Sequence, residues 1–259
     1  MRDFTLEAYS NYLSAIKKAG FEFKVFREFI VRQNEENKCC LVRHDVDRKP
    51  LNALRMAKLE YALGVKATYY FRNRRAAFIP EILQQIEALG HEVGYHYENL
   101  ADTKGNYSRA LNDFEENLKL FRKYVKVDTI SMHGSPLKPF DNRNLWRTKE
   151  NHFLLRERFS LLGEVYLDID YTDIAYITDT GRNWRGKNNV RDKTNSKIPV
   201  AFANGVELLN YLETRPASKL VFQVHPERWS NNFLEWQIQY FKDHLANLAK
   251  QAAGFFSKE

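Results

Sequence analysis

Two aspartates end an apolar run in the sequence Leu41-Val42-Arg43-His44-Asp45-Val46-Asp47. Because successive side chains of a strand alternate between its faces, Asp45 and Asp47 project to one side of it. Lys49-Pro50 follows, and proline suits the first turn of a helix. Two acids between a strand and its crossover helix occupy the position where α/β folds build active sites. The pair could share a divalent metal, divide into a ligand and a general base, or only cap a turn.

Other residues capable of chemistry stand where further strands are predicted to end. They are His96, His133, Asp179 and His225. In a barrel of parallel strands these ends converge on one face. A single buried histidine is more often a hydrogen-bonded core residue than a ligand. Three histidines in register with an Asp-x-Asp pair are typical of a metal or catalytic site.

The chain reads as strands alternating with helices, which predicts one α/β domain over residues 1–259. Strands are predicted over 41–47, 67–71, 92–96, 129–133, 165–168, 174–177 and 220–225. Helices are predicted over 6–19, 25–34, 50–63, 80–89, 107–124, 206–213 and 232–253. This alternation favours a parallel barrel or a wound sheet. The chain contains neither a GxGxxG nor a P-loop pattern, which argues against a nucleotide cofactor.

The composition of the 259 residues excludes several classes of protein. The net charge is +7, but 40 basic residues alternate with 33 acidic ones and form no stripe for nucleic acid. No apolar run approaches the roughly 20 residues that span a bilayer. The start of the chain has no apolar signal segment, and Cys39 and Cys40 are adjacent and form no disulfide framework. We therefore expect a cytoplasmic protein without a membrane span or a nucleic-acid partner.

A long basic segment, residues 181–193, contains several glycines and one tryptophan. Most such segments are solvated surface, but a loop of this length within a compact domain is often a lid or a binding element. If it folds over the site, Arg182 and Arg185 would suit a phosphate group, and Trp184 would suit the face of a sugar.

Four stretches resemble, in their order and spacing, the motifs of the polysaccharide deacetylases, the NodB-like enzymes of carbohydrate esterase family 4. They are residues 44–47, 67–71, 90–96 and 225–226, and the resemblance extends from Leu41 to Trp229. It implies a deformed (β/α)7 barrel of parallel strands with one divalent metal ion. It also implies the roles of individual residues: Asp45 as general base, Asp47 and His96 as metal ligands, His225 as general acid, and Asp179 as the acid that braces the catalytic centre.

The sequence departs from the family pattern at two places. Leu100 stands where the family carries a second metal histidine, and residues 131–136 stand where it carries an Arg-x-Pro motif. A catalytic zinc ion normally takes three protein ligands and a water, so a third ligand is needed. His133 and Glu98 are the alternatives. We favour His133, which would leave Glu98 as a partner of a ligand or as a substrate contact.

Together these features predict a metal-dependent deacetylase that hydrolyses the acetamide of an N-acetylated sugar in surface-polysaccharide biosynthesis. The metal is expected to be zinc, with cobalt, nickel or manganese as alternatives. The substrate could be phosphate-linked, because the 181–193 segment and the whole chain are basic. Two alternatives are another amide hydrolase on the same barrel and a metal-free carbohydrate-binding relative. The sequence gives no prediction of the oligomeric state.

Overall fold

The computed structural model describes residues 2–33, 38–186, 189–214 and 216–256. The strands in this part are β1 Glu22–Lys24, β2 Cys39–Val46, β3 Thr68–Phe71, β4 Glu92–Tyr97, β5 Thr129–Met132, β6 Gly163–Glu164, β7 Ile174–Thr178 and β8 Lys219–Val224. The α-helices are α1 Leu6–Lys18, α2 Phe26–Arg32, α3 Pro50–Leu63, α4 Pro80–Ala88, α5 Asn99–Asp102, α6 Tyr107–Arg122, α7 Lys149–Glu157, α8 Gly205–Thr214 and α9 Phe233–Phe256. Two 3-10 helices span Asn142–Trp146 and Pro226–Arg228.

All strand pairs between the described residues are parallel. Seven strands follow the order β6-β5-β4-β3-β2-β8-β7 and curl into an open barrel, and β1 adds to the first half of one edge of β2. Because parallel strands need crossover connections, helices separate most of them along the chain. This architecture confirms the predicted deformed (β/α)7 barrel.

Strand β2 is buried along its whole length, and its two faces serve different purposes. On the outer face, Cys40 and Val42 join the main core between the sheet and the helices. On the inner face, Cys39 and Leu41 join a smaller apolar cluster inside the barrel, with Tyr70 and Val221 from the neighbouring strands. The inner face therefore changes from apolar to charged towards the carboxyl end of β2, where Asp45 lies.

The helix that follows β2 has clear start and stop signals. Pro50 is its first residue, where the missing N–H costs no helical hydrogen bond. Gly64 ends it in the left-handed conformation, with φ of 67°, and its N–H bonds to carbonyls of the last turn. These signals fix the length of α3, and so the point at which the chain returns to begin β3.

The predicted strand over 165–168 is wrong. The strand is Gly163–Glu164, and the chain turns immediately after it. The side chain of Asp168 accepts a hydrogen bond from the Glu164 N–H at 2.7 Å, and the Asp168 N–H bonds to the Glu164 carbonyl at 2.9 Å, which closes the turn. The sequence analysis also missed β1 and the helix α7. Asn34, the last residue of the predicted helix over 25–34, lies outside the described residues.

No helix among the described residues is both long and apolar enough to cross a membrane.

Gly94 in β4 provides a test of the close packing inside the barrel. A Cβ at this position would lie 2.4 Å from Cε1 of Tyr70 and 2.7 Å from the Thr129 carbonyl oxygen. We expect Gly94→Ala to lower the free energy of unfolding, measured in urea, by about 1–3 kcal/mol because of this overlap. Gly134→Ala is the control, since its nearest neighbour would be 3.7 Å away, and its effect should stay within about 0.5 kcal/mol. Equal effects of the two substitutions would contradict the packing described here.

Candidate active site

A cavity of about 280 Å³ opens at the carboxyl ends of the central strands. Five of the residues that were predicted to do chemistry line it: Asp45, Asp47, His96, His133 and His225. They come from the ends of β2, β4, β5 and β8, which lie at one edge because the strands are parallel and in register. The structure therefore brings together residues that are up to 180 positions apart in the chain.

Asp45 is held by a charge partner that the sequence analysis did not identify. Arg43 donates from Nε to Oδ1 and from Nη2 to Oδ2 of Asp45, each at 2.8 Å, and its side chain is fully buried. Gln223 of the adjacent strand β8 donates to Oδ2 at 3.0 Å. The signal in the sequence was the spacing itself, because Arg43 and Asp45 lie two residues apart on one face of a strand.

This ion pair keeps Asp45 ionised. Burial alone would raise the pKa of the carboxyl, but the Arg43 guanidinium outweighs burial and lowers the pKa below its ordinary value. The two hydrogen bonds from Arg43 also fix the orientation of the carboxylate. Asp45 is therefore a charged, immobile acceptor at the wall of the cavity.

Asp47 presents a buried oxygen to two histidines. Its Oδ1 has no hydrogen-bond partner among the described residues. The Nε2 atoms of His96 and His133 lie 3.7 and 3.6 Å from it, which is too far for a hydrogen bond. Arg72 approaches the same oxygen to 3.9 Å. A buried carboxylate oxygen without a partner is costly unless another group satisfies it.

Both histidines turn Nε2 towards Asp47. Nδ1 of His96 lies 3.0 Å from the Ser131 carbonyl, which can only accept, so Nδ1 carries the proton. In the same way, Nδ1 of His133 donates to Oε2 of Glu98 at 3.0 Å. Burial lowers the pKa of His96 to about 4, so its ring is neutral near pH 7. Nε2 of His96 is therefore free to bind a cation, and Nε2 of His133 faces the same oxygen of Asp47.

The three side chains fit a divalent metal ion in donor type and in orientation. Donors about 2.1 Å from a tetrahedral ion are about 3.4 Å apart, close to the two distances from Asp47 Oδ1. Metal-binding histidines usually donate their other N–H to a carbonyl or a carboxylate, as His96 and His133 do. In the described part of the chain, however, no group of three or more His, Cys, Asp or Glu side chains is placed so that it could hold a metal ion. The three groups would have to move closer together to bind one.

Glu98 lies behind His133 and is surrounded by cations. Its Oε1 accepts hydrogen bonds from Arg72 at 2.6 and 2.9 Å and from Arg74 at 2.7 Å, and its Oε2 accepts from His133. The carboxylate is 5% exposed and does not line the cavity. This position matches the expected alternative in which Glu98 orients a ligand, and it does not support a direct contact of Glu98 with the substrate.

His225 and Asp179 form a second buried pair at the edge of the cavity. Nδ1 of His225 lies 2.6 Å from Oδ1 of Asp179, and the His225 N–H donates to Oδ2 at 3.0 Å. Arg228 and Trp229 also donate to this carboxylate, at 2.6 and 2.9 Å. Burial would raise the pKa of Asp179, but Arg228 and His225 outweigh it and lower the pKa to about 2. The fixed anion in turn raises the pKa of His225, against the opposing effects of burial and of Arg228.

The three residues expected from the basic loop lie away from the cavity lining. Trp184 is 4% exposed and packs in the core, stacked on Phe4 with ring centroids 5.4 Å apart. Arg182 is buried against Asp243, with 3.3 Å between Nη1 and Oδ2. Arg185 is exposed at the surface. The expected phosphate and sugar contacts of these residues are therefore not supported, because the loop buries its apolar residue instead of presenting it.

A different residue of this loop reaches the cavity. The Arg191 guanidinium donates to the backbone carbonyls of Gly134 at 2.8 Å and Ser135 at 3.1 Å, and also to those of Lys138 and Phe140. It thereby fastens the loop beside His133. The basic composition of the loop was visible in the sequence, but nothing in it distinguished Arg191 from the other arginines. Lys187 and Asn188 of the loop lie outside the described residues.

No protein-family model matches the sequence, and no curated protein matches it significantly. Solved structures are similar at low identity. A CE4 family esterase from Streptococcus mutans is 15% identical, with 87% of this chain and 90% of that chain covered and a TM-score of 0.48. A CE4 family pseudoenzyme from Bacillus anthracis is 13% identical over 80% of this chain, with a TM-score of 0.47, and the match spans 62% of that longer chain. A family 4 carbohydrate esterase from Bacillus subtilis is 12% identical, with coverages of 93% and 97% and a TM-score of 0.45.

The pairing of Arg43 with Asp45 can be tested by a double-mutant cycle. Arg43→Met should lower the free energy of unfolding by about 3–5 kcal/mol, because it leaves the buried Asp45 carboxylate without its partner. Arg43→Met/Asp45→Asn should recover part of this loss, since the remaining amide is neutral and Gln223 can still donate to it. Denaturant titrations of the four proteins measure the coupling. If the two single losses simply add in the double variant, Arg43 and Asp45 do not stabilise one another.

Proposed function

We propose that the chain is a metal-dependent hydrolase that removes the acetyl group from an N-acetylated sugar. The observation that carries the proposal is the buried Oδ1 of Asp47, which has no hydrogen-bond partner among the described residues, with the Nε2 atoms of His96 and His133 facing it. Without a cation, this buried carboxylate oxygen has no hydrogen-bond partner among the described residues. A divalent ion satisfies this oxygen and finds here the ligand types that it prefers.

Asp47, His96 and His133 would hold the ion, with zinc as the first expectation and cobalt, nickel or manganese as alternatives. Such an ion supplies Lewis-acid polarisation of the acetamide carbonyl and increases the acidity of water at the site. Glu98 and the Ser131 carbonyl keep the two imidazoles in the tautomer that leaves Nε2 free. The protein thus sets the ligand orientation before any ion binds.

Asp45 serves as the general base. Its carboxylate is ionised and lies in the cavity wall. Oδ2 of Asp45 is 3.6 Å from Nε2 of His96. Because Arg43 holds the carboxylate rigid, a water that attacks the acetamide carbonyl would find its proton acceptor already in position. Because the same arginine lowers the pKa of Asp45, it also makes Asp45 a weaker base. Asp45 would therefore need a water whose own pKa is lowered at the site.

His225 serves as the general acid. An amine leaves an acyl centre poorly unless it is protonated, so the reaction needs a charged acid near neutral pH. Asp179 favours the imidazolium form of His225 through a charge-assisted hydrogen bond at 2.6 Å. As the C–N bond breaks, His225 gives its proton to the departing amine of the sugar, and the acetyl carbon keeps the oxygen of the attacking water and leaves as acetate.

The substrate would be an N-acetylated sugar used for surface polysaccharide, which could carry a phosphate. Arg182 and Arg185 are not available for such a group, but other arginines line the cavity: Arg48, Arg72, Arg191 and Arg228. Of these four, Arg48 is the most exposed, at 53% of its side chain, and its Nε lies 3.5 Å from Glu227. An anionic group on the sugar would therefore meet Arg48 first.

Metal analysis of the purified protein tests the ligand set. We expect one ion per chain, its loss in Asp47→Ala and His96→Ala, and weaker binding in His133→Ala. Asp45→Asn is the matched control: it removes a neighbouring carboxylate that is not a ligand, so metal should remain while kcat for acetamide hydrolysis falls by about 10²–10⁴-fold.

Two outcomes would change this assignment. If the metal stays in His133→Ala but leaves in Glu98→Ala, Glu98 is the third ligand. If the wild-type protein takes up no divalent ion and hydrolyses none of a panel of N-acetylated sugars, yet binds them, the chain is a carbohydrate-binding protein and the proposal is wrong.

The pH dependence of kcat/KM tests His225. Because His225 must be protonated to act, activity should fall as the pH rises through its pKa. Asp179→Asn removes the anion that stabilises the imidazolium, so the pKa should fall and the alkaline limb should move to lower pH by about 1–3 units. Glu227→Gln is the control and should move the limb much less, because Glu227 makes no hydrogen bond to His225 in the described structure. An activated acetyl ester, which needs no acid, should lack the shift; the same shift with both substrates would exclude His225 as the acid.

A further inference from the structure

The helix α9 turns polar residues towards the protein and apolar residues towards solvent, which is the reverse of an ordinary surface helix. Its polar residues Gln239, Asp243 and Asn247 follow one another at four-residue intervals and face the body of the protein. Asp243 is 6% exposed and pairs with Arg182, and Asn247 donates to the Gly181 carbonyl at 2.8 Å. Asp243 and Asn247 also line the cavity of the candidate active site. A surface helix ordinarily turns its polar face outward, so the opposite face of α9 needs an explanation.

That opposite face is an exposed apolar seam. Its described members are Leu234, Ile238, Phe241, Leu245 and Leu248, whose exposed fractions are 65%, 45%, 63%, 65% and 50%. Their separations of four, three, four and three residues are those of the core positions of a coiled coil. Isolated exposed apolar residues are common, but five in this repeat on one helix mark an interface with another helix.

We propose that the seam of α9 pairs with the seam of a second copy of this chain, with the two helices antiparallel. In the register that we infer, Leu234 of one copy packs beside Leu245 of the other, and Ile238 packs beside Phe241. Because a two-fold axis relates the two copies, each of these two contacts occurs twice, which gives four layers of apolar contacts along about three turns of helix. The proposal is independent of the proposed catalytic function.

The charges beside the seam select this arrangement. Glu235 and Lys242 flank it on the same side, each one position after a seam residue. In the antiparallel register, Glu235 of each copy lies near Lys242 of the other, so the symmetric pair contains two opposite-charge contacts. Shifting the register by one heptad would place Lys242 against Lys242, which is unfavourable. A parallel pair would place Lys242 near the neutral Gln237 instead. Charge complementarity therefore favours a second copy in one orientation.

A lipid surface fits the same helix less well. Helices that lie on membranes carry Lys and Arg on the face opposite the apolar one. In α9 that opposite face holds Gln239 and Asp243, which are buried against the protein.

The first experiment measures mass in solution by sedimentation equilibrium over a dilution series of the full chain. We expect a species of twice the 30.6 kDa chain mass that dissociates on dilution. Phe241→Glu should place two buried charges in the central layers and abolish the dimer. Phe153→Glu on α7 is the matched control, because Phe153 and Phe241 are both 63% exposed, and it should leave the dimer unchanged.

The second experiment uses the charges to test the orientation. Glu235→Lys and Lys242→Glu each create like-charge contacts in the homodimer, and each should weaken it. The first variant carries a lysine at both flanking positions and the second carries a glutamate at both, so every flanking contact in a mixed pair joins opposite charges. When the two variants are mixed in equal amounts, a heterodimer should therefore form, detected by native mass spectrometry. The mixing step removes any effect of Glu235→Lys on the start of the helix, because the same chains are compared before and after mixing.

Three results would overturn the proposal. The first is a wild-type mass of one chain over the whole dilution series. The second is a dimer that survives Phe241→Glu. The third is association with anionic phospholipid vesicles that Phe241→Glu abolishes while the wild-type protein remains a monomer without them. If a dimer forms but the mixed variants do not associate better than either variant alone, the antiparallel register is wrong.

Discussion

The ion pair between Arg43 and Asp45 is the interaction on which the interior of the barrel depends. Two opposite charges are buried there, and the burial is tolerated because the strands supply further partners. The parallel register sets Arg43 opposite Gln223, which donates to Asp45, and the guanidinium lies 4.5 Å from the centre of the Tyr166 ring. Once Asp45 is fixed in this way, the alternation of β2 directs Asp47 towards the same cavity. The histidines of the neighbouring strands can then meet it.

The outer face of β2 carries a second polar cluster. His44 points away from the cavity and lies 2.6 Å from Oε1 of Glu60 in α3, whose Oε2 accepts a hydrogen bond from Tyr69 at the same distance. These side chains are fully buried. A shift of one residue in the register of β2 would exchange the two faces and leave the charges of both clusters without their partners. The polar residues on this strand therefore specify its register as firmly as its apolar residues drive its burial.

The sequence predicted what depends on periodicity and on parallel topology. Alternation along a strand assigned Asp45 and Asp47 to one face, and parallel strands required that their ends meet, which located His96, His133 and His225. It did not predict contacts that need a partner distant in the chain. Arg182 is buried because Asp243, 61 residues away, lies beside it, and Trp184 stacks on Phe4 from the start of the chain. A basic loop with a tryptophan has the same local pattern whether it covers a ligand or joins the core.

The helix α9 connects the proposed assembly to one half of the candidate site. Asp243 pairs with Arg182 and lies 3.8 Å from Nε of Arg228, while Nη1 of Arg228 donates to the Asp179 carboxylate that holds His225. The position of α9 therefore bears on the charge balance around His225. The Arg43–Asp45 pair, in contrast, takes its hydrogen bonds from residues of strands β2 and β8. If α9 moved when the two copies of the proposed dimer separate, the environment of His225, the proposed acid, would change before that of Asp45, the proposed base, because in the described structure the charged network that reaches α9 includes the partners of His225.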